Sequence, residues 1–262
     1  MWRAFTLAVE GATLCGNRRD GPGLPLVLLH GMGGARDGWD RVIAHLPPAM
    51  PLLRHDLRGF GASAADEATE YSHGDDLLAL LDAQGIERAA LCGLSMGGAI
   101  AAGFALDHPD RVERLVLVSP ALAGWEWSAE WRALWREVAA AARSGEMDRA
   151  RELWWLHPMF AAARESAGAQ DLRREIAAFA GRQWVGDRQR PVLPDLDRLH
   201  TLAAPTLLLT GGRDFTDFRL IADLLEATVP SLSRIDYPQA GHMLPLEAPR
   251  DVARAVAAFM AG

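Results

Sequence analysis

Short apolar runs alternate with amphipathic stretches along most of this chain. Pro25–Leu29, Pro51–Arg54, Ala89–Cys92, Leu115–Val118 and Pro205–Leu209 are nearly all apolar and are bounded by Gly, Pro or Asp. Such runs suit strands buried on both faces of a parallel sheet, where neither face has to meet water. A shorter run, Ser233–Tyr237, adds one more candidate strand. Between the runs lie helical patterns. Asp75–Gln84 carries Leu77, Leu78, Leu80 and Leu81 before Gly85 stops it, and Ala99–Leu106 is small and apolar up to His108-Pro109. Asp251–Met260 closes the chain. Strands alternating with helices predict an α/β fold, a mostly parallel sheet with helices on both faces.

The alternation breaks once. From Ala121 to Arg198 no strand pattern appears, and the segment holds Trp125, Trp127, Trp131, Trp135, Trp154, Trp155 and Trp184, seven of the nine tryptophans. Trp127, Trp131, Leu134, Trp135 and Val138 fall at i, i+4, i+7, i+8 and i+11, along one helix face. The expected organisation is a core made of residues 1–120 and 199–262, with residues 121–198 inserted as a helical cap.

Bulk properties narrow the function classes. A chain of 262 residues buries a large core without help from disulfides or metal. The net charge of −7 disfavours nucleic acid as a partner, because phosphate binding wants a basic surface. Cys15 and Cys92 are read as free thiols of a reducing compartment. The N-terminus lacks a signal-like apolar stretch and no segment is apolar enough to span a membrane. The expected location is cytoplasmic.

Four segments carry candidate chemistry, and each follows a predicted strand. Gly93-Leu94-Ser95-Met96-Gly97 joins a strand to a helix. A tight turn there lifts the central side chain above the sheet edge, and the helix start offers free N–H groups to an anion. The bland alternative is a serine that only caps the helix. His30-Gly31-Met32-Gly33-Gly34 aims backbone N–H groups from a neighbouring loop; alone it is as readily a plain turn. Thr210-Gly211-Gly212-Arg213-Asp214 supplies a carboxylate, with Asp217 as a competitor. Ala240-Gly241-His242-Met243 supplies a Gly-flanked histidine; the other histidines, His30 apart, have no comparable setting. Ser, then Asp, then His is the chain order of a serine hydrolase built on an α/β sheet. Sites of open α/β sheets lie at the strands' C-terminal edge, so the four segments agree on one place.

These residues resemble the α/β-hydrolase superfamily over essentially the whole chain. Asp56-Leu57-Arg58-Gly59-Phe60-Gly61-Ala62-Ser63 and Trp39 extend the match. The resemblance implies an eight-stranded, mostly parallel sheet with one antiparallel strand near the N-terminus, and a cap after the sixth strand. It implies a triad of Ser95, His242 and Asp214 and an oxyanion hole from the N–H groups of Met32 and Met96. Members that use an Asp nucleophile differ from this chain at Ser95. Epoxide hydrolases need cap tyrosines, whereas Tyr71 and Tyr237 lie outside residues 121–198. Carbon–carbon bond hydrolases carry Asn and Trp where this chain has Leu94 and Met243. The Gly93–Gly98 run is nearer to small esterases, enol-lactonases and perhydrolases.

The expected function is therefore a serine esterase, with lactonase or perhydrolase activity on the same triad as the alternative and a non-catalytic small-molecule receptor as the contrasting class. The expected partner is a small ester or lactone. No cofactor or metal is called for, since neither H-E-x-x-H nor paired Cys ligands occur. His30, Trp154 and Trp155 are candidate substrate contacts. Arg132 and Arg136 of the cap are candidates for a substrate carboxylate, or else lie on solvated faces.

Overall fold

The computed structural model describes residues 1–262. Nine strands form one sheet: β1 (Trp2–Val9), β2 (Ala12–Arg19), β3 (Leu26–Leu29), β4 (Leu52–His55), β5 (Ala64–Ala65), β6 (Ala89–Leu94), β7 (Val112–Val118), β8 (Thr206–Gly211) and β9 (Leu232–Tyr237). Eight of them run in the order β1-β2-β4-β3-β6-β7-β8-β9, and the two-residue β5 pairs beside β2. From β4 to β9 every pairing is parallel, and β2 is antiparallel to both of its long neighbours. The sheet thus has one strand more than the eight expected.

The central strands are the apolar runs. All residues of β3, β4, β6 and β8 are buried, as both-face coverage requires. β1 and β2 escaped the pattern because neither is covered on both faces. β1 has no fully buried residue and β2 only two, so no continuous apolar run marks them.

Helices α1 (Asp40–Ile43), α2 (His73–Ala83) and α3 (Met96–Asp107) follow β3, β5 and β6. The start of α2 is fixed by Ser72, whose side chain accepts from the N–H groups of Gly74 and Asp75 at 3.1 and 3.3 Å. Its end is fixed by Gly85 in the left-handed region. Five helices lie between β7 and β8 in the chain: α4 (Ala129–Arg143), α5 (Met147–Leu156), α6 (Ala161–Arg164), α7 (Ala169–Ala178) and α8 (Arg182–Val185). Helices α9 (Thr216–Thr228), α10 (Leu244–Glu247) and α11 (Pro249–Ala261) complete the chain. No helix is long and apolar enough to cross a membrane.

Candidate active site

Because β3, β6, β8 and β9 are parallel, the loops that leave them open on one edge of the sheet. Ser95 occupies the turn between β6 and α3 with φ 53° and ψ −114°. A non-glycine residue in that region costs about 1–3 kcal/mol and persists only where its surroundings over-determine it. Here they do. Its N–H donates to the Val118 carbonyl, and its carbonyl accepts from the N–H groups of Ala99 and Ala121, all within 3.1 Å.

The flanking glycines are required by close approach. A Cβ on Gly93 would stand 2.1 Å from the Gly97 carbonyl oxygen, and one on Gly97 would stand 2.4 Å from the Leu29 oxygen. These neighbours are backbone atoms of α3 and β3 and cannot swing aside. Gly97→Ala is accordingly expected to destabilise the protein by about 1–3 kcal/mol, read as a lowered midpoint in thermal unfolding. An unchanged midpoint would contradict the packing described.

Asp214 follows β8, and its two oxygens lie 3.1 and 3.0 Å from Nδ1 of His242. Both residues are buried. An imidazole facing a carboxylate through Nδ1 carries its proton there, which leaves the Nε2 lone pair free. Asp217 has a different task. Its Oδ1 accepts from the Trp125 indole N–H and the Ser128 N–H at 3.1 and 2.9 Å, tying the start of the inserted segment to α9. The competition between the two aspartates is thus decided by their partners.

Glu247, unnoticed in the sequence, holds the histidine loop. Its two carboxylate oxygens accept from the N–H groups of Gly241 and Met243, on either side of His242, at 2.5 and 2.8 Å. Burial pushes this carboxyl up, while the two N–H groups pull it back. Nothing local marks Glu247: it is one more acidic residue ahead of a helix.

Ser95 and His242 line a single cavity of about 820 Å³, within the size range of small-molecule sites. Met32, Met96, His30 and Trp154 line it too. His30 is fully engaged: Nε2 accepts from the Leu57 N–H at 3.0 Å, so Nδ1 carries the proton and donates to the Gly31 carbonyl at 2.8 Å. It braces the loop after β3 and has no hydrogen bond left for a ligand. Trp154 lines the cavity, and its buried indole N–H has no hydrogen-bond partner. Trp155 does not line the cavity, against expectation. One step along α5 turns a side chain by about 100°, which carries Trp155 outward under the guanidinium groups of Arg173 and Arg164, 5.0 and 6.0 Å from its ring. Trp127, Trp131 and Trp135 also line the cavity, whereas Trp184 packs at 4.7 Å against Phe179. Arg132 and Arg136 reach the cavity rim but are exposed.

Known proteins agree with this architecture. A sequence profile of the alpha/beta hydrolase fold matches residues 25–249. The chain is 32% identical over 271 aligned residues to the dihydrolipoyllysine-residue acetyltransferase component of an acetoin cleaving system from Pseudomonas putida; the match covers 98% of this chain and 66% of that protein. It thus spans slightly less than two thirds of that relative. It is 30% identical over 238 residues to a pimeloyl-(acyl-carrier protein) methyl ester esterase of Vibrio campbellii, covering 85% and 89% of the two chains. A thermophilic esterase from Thermogutta terrifontis, solved with malate bound, superposes with a TM-score of 0.82 at 26% identity over 99% of this chain and 98% of that one.

Proposed function

The chain belongs to the alpha/beta hydrolase fold family and is a hydrolase of it, and from that premise we propose that it cleaves carboxylic esters through an acyl-enzyme on Ser95. One observation carries the reading. A strained serine and a histidine already oriented by a buried aspartate line the same cavity.

In this mechanism Ser95 Oγ attacks the ester carbonyl carbon while Nε2 of His242 takes its proton. Asp214 keeps the Nδ1 proton in place and offsets the charge of the imidazolium. The carbonyl oxygen becomes an oxyanion, bound by the N–H groups of Met32 and Met96. Met96 is the first residue of α3, where helical N–H groups have no partner within the helix. Each such donor is typically worth about 2.7–4 kcal/mol in the transition state. The tetrahedral intermediate collapses, and His242 passes its proton to the departing alkoxide. Water, deprotonated by the same histidine, then attacks the acyl-enzyme and releases the acid. Residues 121–198 form the cap that covers the acyl pocket, with Trp127, Trp131, Trp135 and Trp154 as its apolar wall. Trp155 has no part in it.

The test pairs turnover with labelling. p-Nitrophenyl esters from acetate to decanoate and a small lactone panel are assayed, and a fluorophosphonate adduct is mapped by mass spectrometry. The expected result is ester turnover and an adduct on Ser95. Faster turnover of lactones than of any ester would move the substrate class to lactones on the same triad. No turnover and no adduct would sink the reading and favour a binding protein.

A further inference from the structure

The loop after β3 is bounded by two side chains of different character. At Gly31 the nearest atom to a built Cβ is Ser95 Cβ, at 3.3 Å; at Gly34 it is Glu175 Oε2, at 3.4 Å. The Gly34 N–H donates to the Gly31 carbonyl, which closes a tight turn. Ends of such a turn lie within about 7 Å of each other, so Glu175 stands on the order of 10 Å from Ser95.

Glu175 comes from α7 and lines the cavity that holds Ser95. It also lines a second cavity of about 390 Å³. Gly33, Gly34, Ala35 and Glu175 are common to both cavities. Three of these four have no functional side chain, so Glu175 alone gives that boundary its chemistry.

The carboxyl group has no ion-pair partner. Arg41 and Arg174 beside it are both bonded to Asp171, and Arg54 is paired with Asp40. Burial, helped by the like charges of Asp171, Asp37 and Asp40 and opposed by Arg174, pushes Glu175 up to about 8. The second cavity is lined by the four acids Asp37, Asp40, Asp171 and Glu175 but by only two bases, Arg41 and Arg174. A cation is the ligand that such a place lacks. It would relieve the repulsion among the carboxylates and return Glu175 to its ionised form, whereas an anion would add to the repulsion.

We infer that Glu175 is a specificity-determining residue that receives an ammonium group of the substrate, so that preferred esters carry an amine about six bonds from the scissile carbonyl. This rests on the esterase reading for its choice of substrate, while the binding of the cation does not.

The test compares methyl 6-aminohexanoate with methyl heptanoate, which replaces the ammonium by a methyl group. The readout is the ratio of their kcat/KM values in the native enzyme, Glu175→Gln and Glu175→Asp. Glu175→Gln is expected to lower the amino-to-neutral ratio at least tenfold, and Glu175→Asp to retain part of it. In parallel, hexylammonium is titrated into Ser95→Ala and into the double variant with Glu175→Gln, followed calorimetrically. Affinity is expected to fall at least tenfold in the double variant. If both esters turn over and the ratio ignores Glu175→Gln, the assignment of Glu175 is overturned and the esterase reading stands. If neither ester turns over, calorimetry decides: a Glu175-dependent affinity upholds the cation site without the esterase, and an affinity that ignores Glu175 overturns it.

Discussion

Ser95→Ala is expected to lower kcat on any ester the protein accepts by at least about 10⁴-fold. The nucleophilic oxygen is gone, and what survives is the catalysis that the oxyanion donors and the pocket provide without it. Asp214→Asn should cost about 10⁴-fold as well, for a different reason. An amide facing Nδ1 lets the imidazole settle in the tautomer that puts its proton on Nε2, where no lone pair remains to take a proton from Ser95. The two losses should not add, because each already removes the concerted step. Steady-state kinetics on the single and double variants checks this. A Ser95→Ala enzyme within tenfold of the native rate would place the nucleophile elsewhere. Stability gives a second signature. Alanine keeps the Cβ that makes φ 53° unfavourable at position 95, and glycine does not. Ser95→Gly should therefore unfold at a higher temperature than Ser95→Ala.

Acid should weaken the fold well before most carboxylates are protonated. Burial pushes His55 down to about 3, with the charges of His30 and His73 adding to it. Burial likewise pushes His73 and His157 down to about 4. Once unfolded, each imidazole titrates near 6.5. Between those values the unfolded chain binds protons that the folded one refuses. The histidine contribution is therefore complete above about pH 6.5 and is lost as the pH falls toward 4. At pH 5 each histidine favours unfolding by about 2 kcal/mol, and the three together by about 6 kcal/mol.

Glu175 pulls the other way. Raised to about 8, it holds a proton in the folded state that the unfolded chain gives up near the usual carboxylate range. Going from pH 7.5 to 5.0 it returns about 3 kcal/mol. Three histidines outweigh one carboxyl, and the net loss of about 3 kcal/mol corresponds to roughly 6 °C in melting temperature. Calorimetric or circular-dichroism melts at the two pH values test the sum. Glu175→Gln should steepen the fall and His55→Gln should make it shallower. A melting temperature that is flat between pH 7.5 and 5.0 would contradict the burial of these imidazoles.

Much of this molecule was legible as a string of residues. Continuous apolar runs announced β3, β4, β6, β7 and β8, because a strand covered on both faces has no polar side to show. The Gly-flanked Ser95 and His242 announced themselves because tight turns and close backbone approach leave a local trace in composition. The order of Ser95, Asp214 and His242 was legible for the same reason, since parallel strands deliver their loops to one edge.

What depends on pairing in space was not legible. Asp214 and Asp217 are three residues apart and chemically alike; the residues alone left both open, the family resemblance pointed to Asp214, and the fold turns Asp214 to His242 and Asp217 to Trp125 and Ser128. Trp154 and Trp155 are neighbours of the same type, and the rotation of α5 puts one in the cavity and the other under two arginines. β1 and β2 gave no run because an edge ribbon buries too little to need one. Glu247 and Glu175 gave no signal at all. A carboxylate's meaning lies in what surrounds it, the N–H groups beside His242 for one and burial among like charges for the other. The sequence by itself determined the central strands of the sheet, the tight turn that carries Ser95 and the edge to which the loops run, since these follow from local hydrophobicity and backbone sterics. The tertiary structure decided which indole lines the cavity and what surrounds each buried acid, since these are set by contacts between residues far apart in the chain.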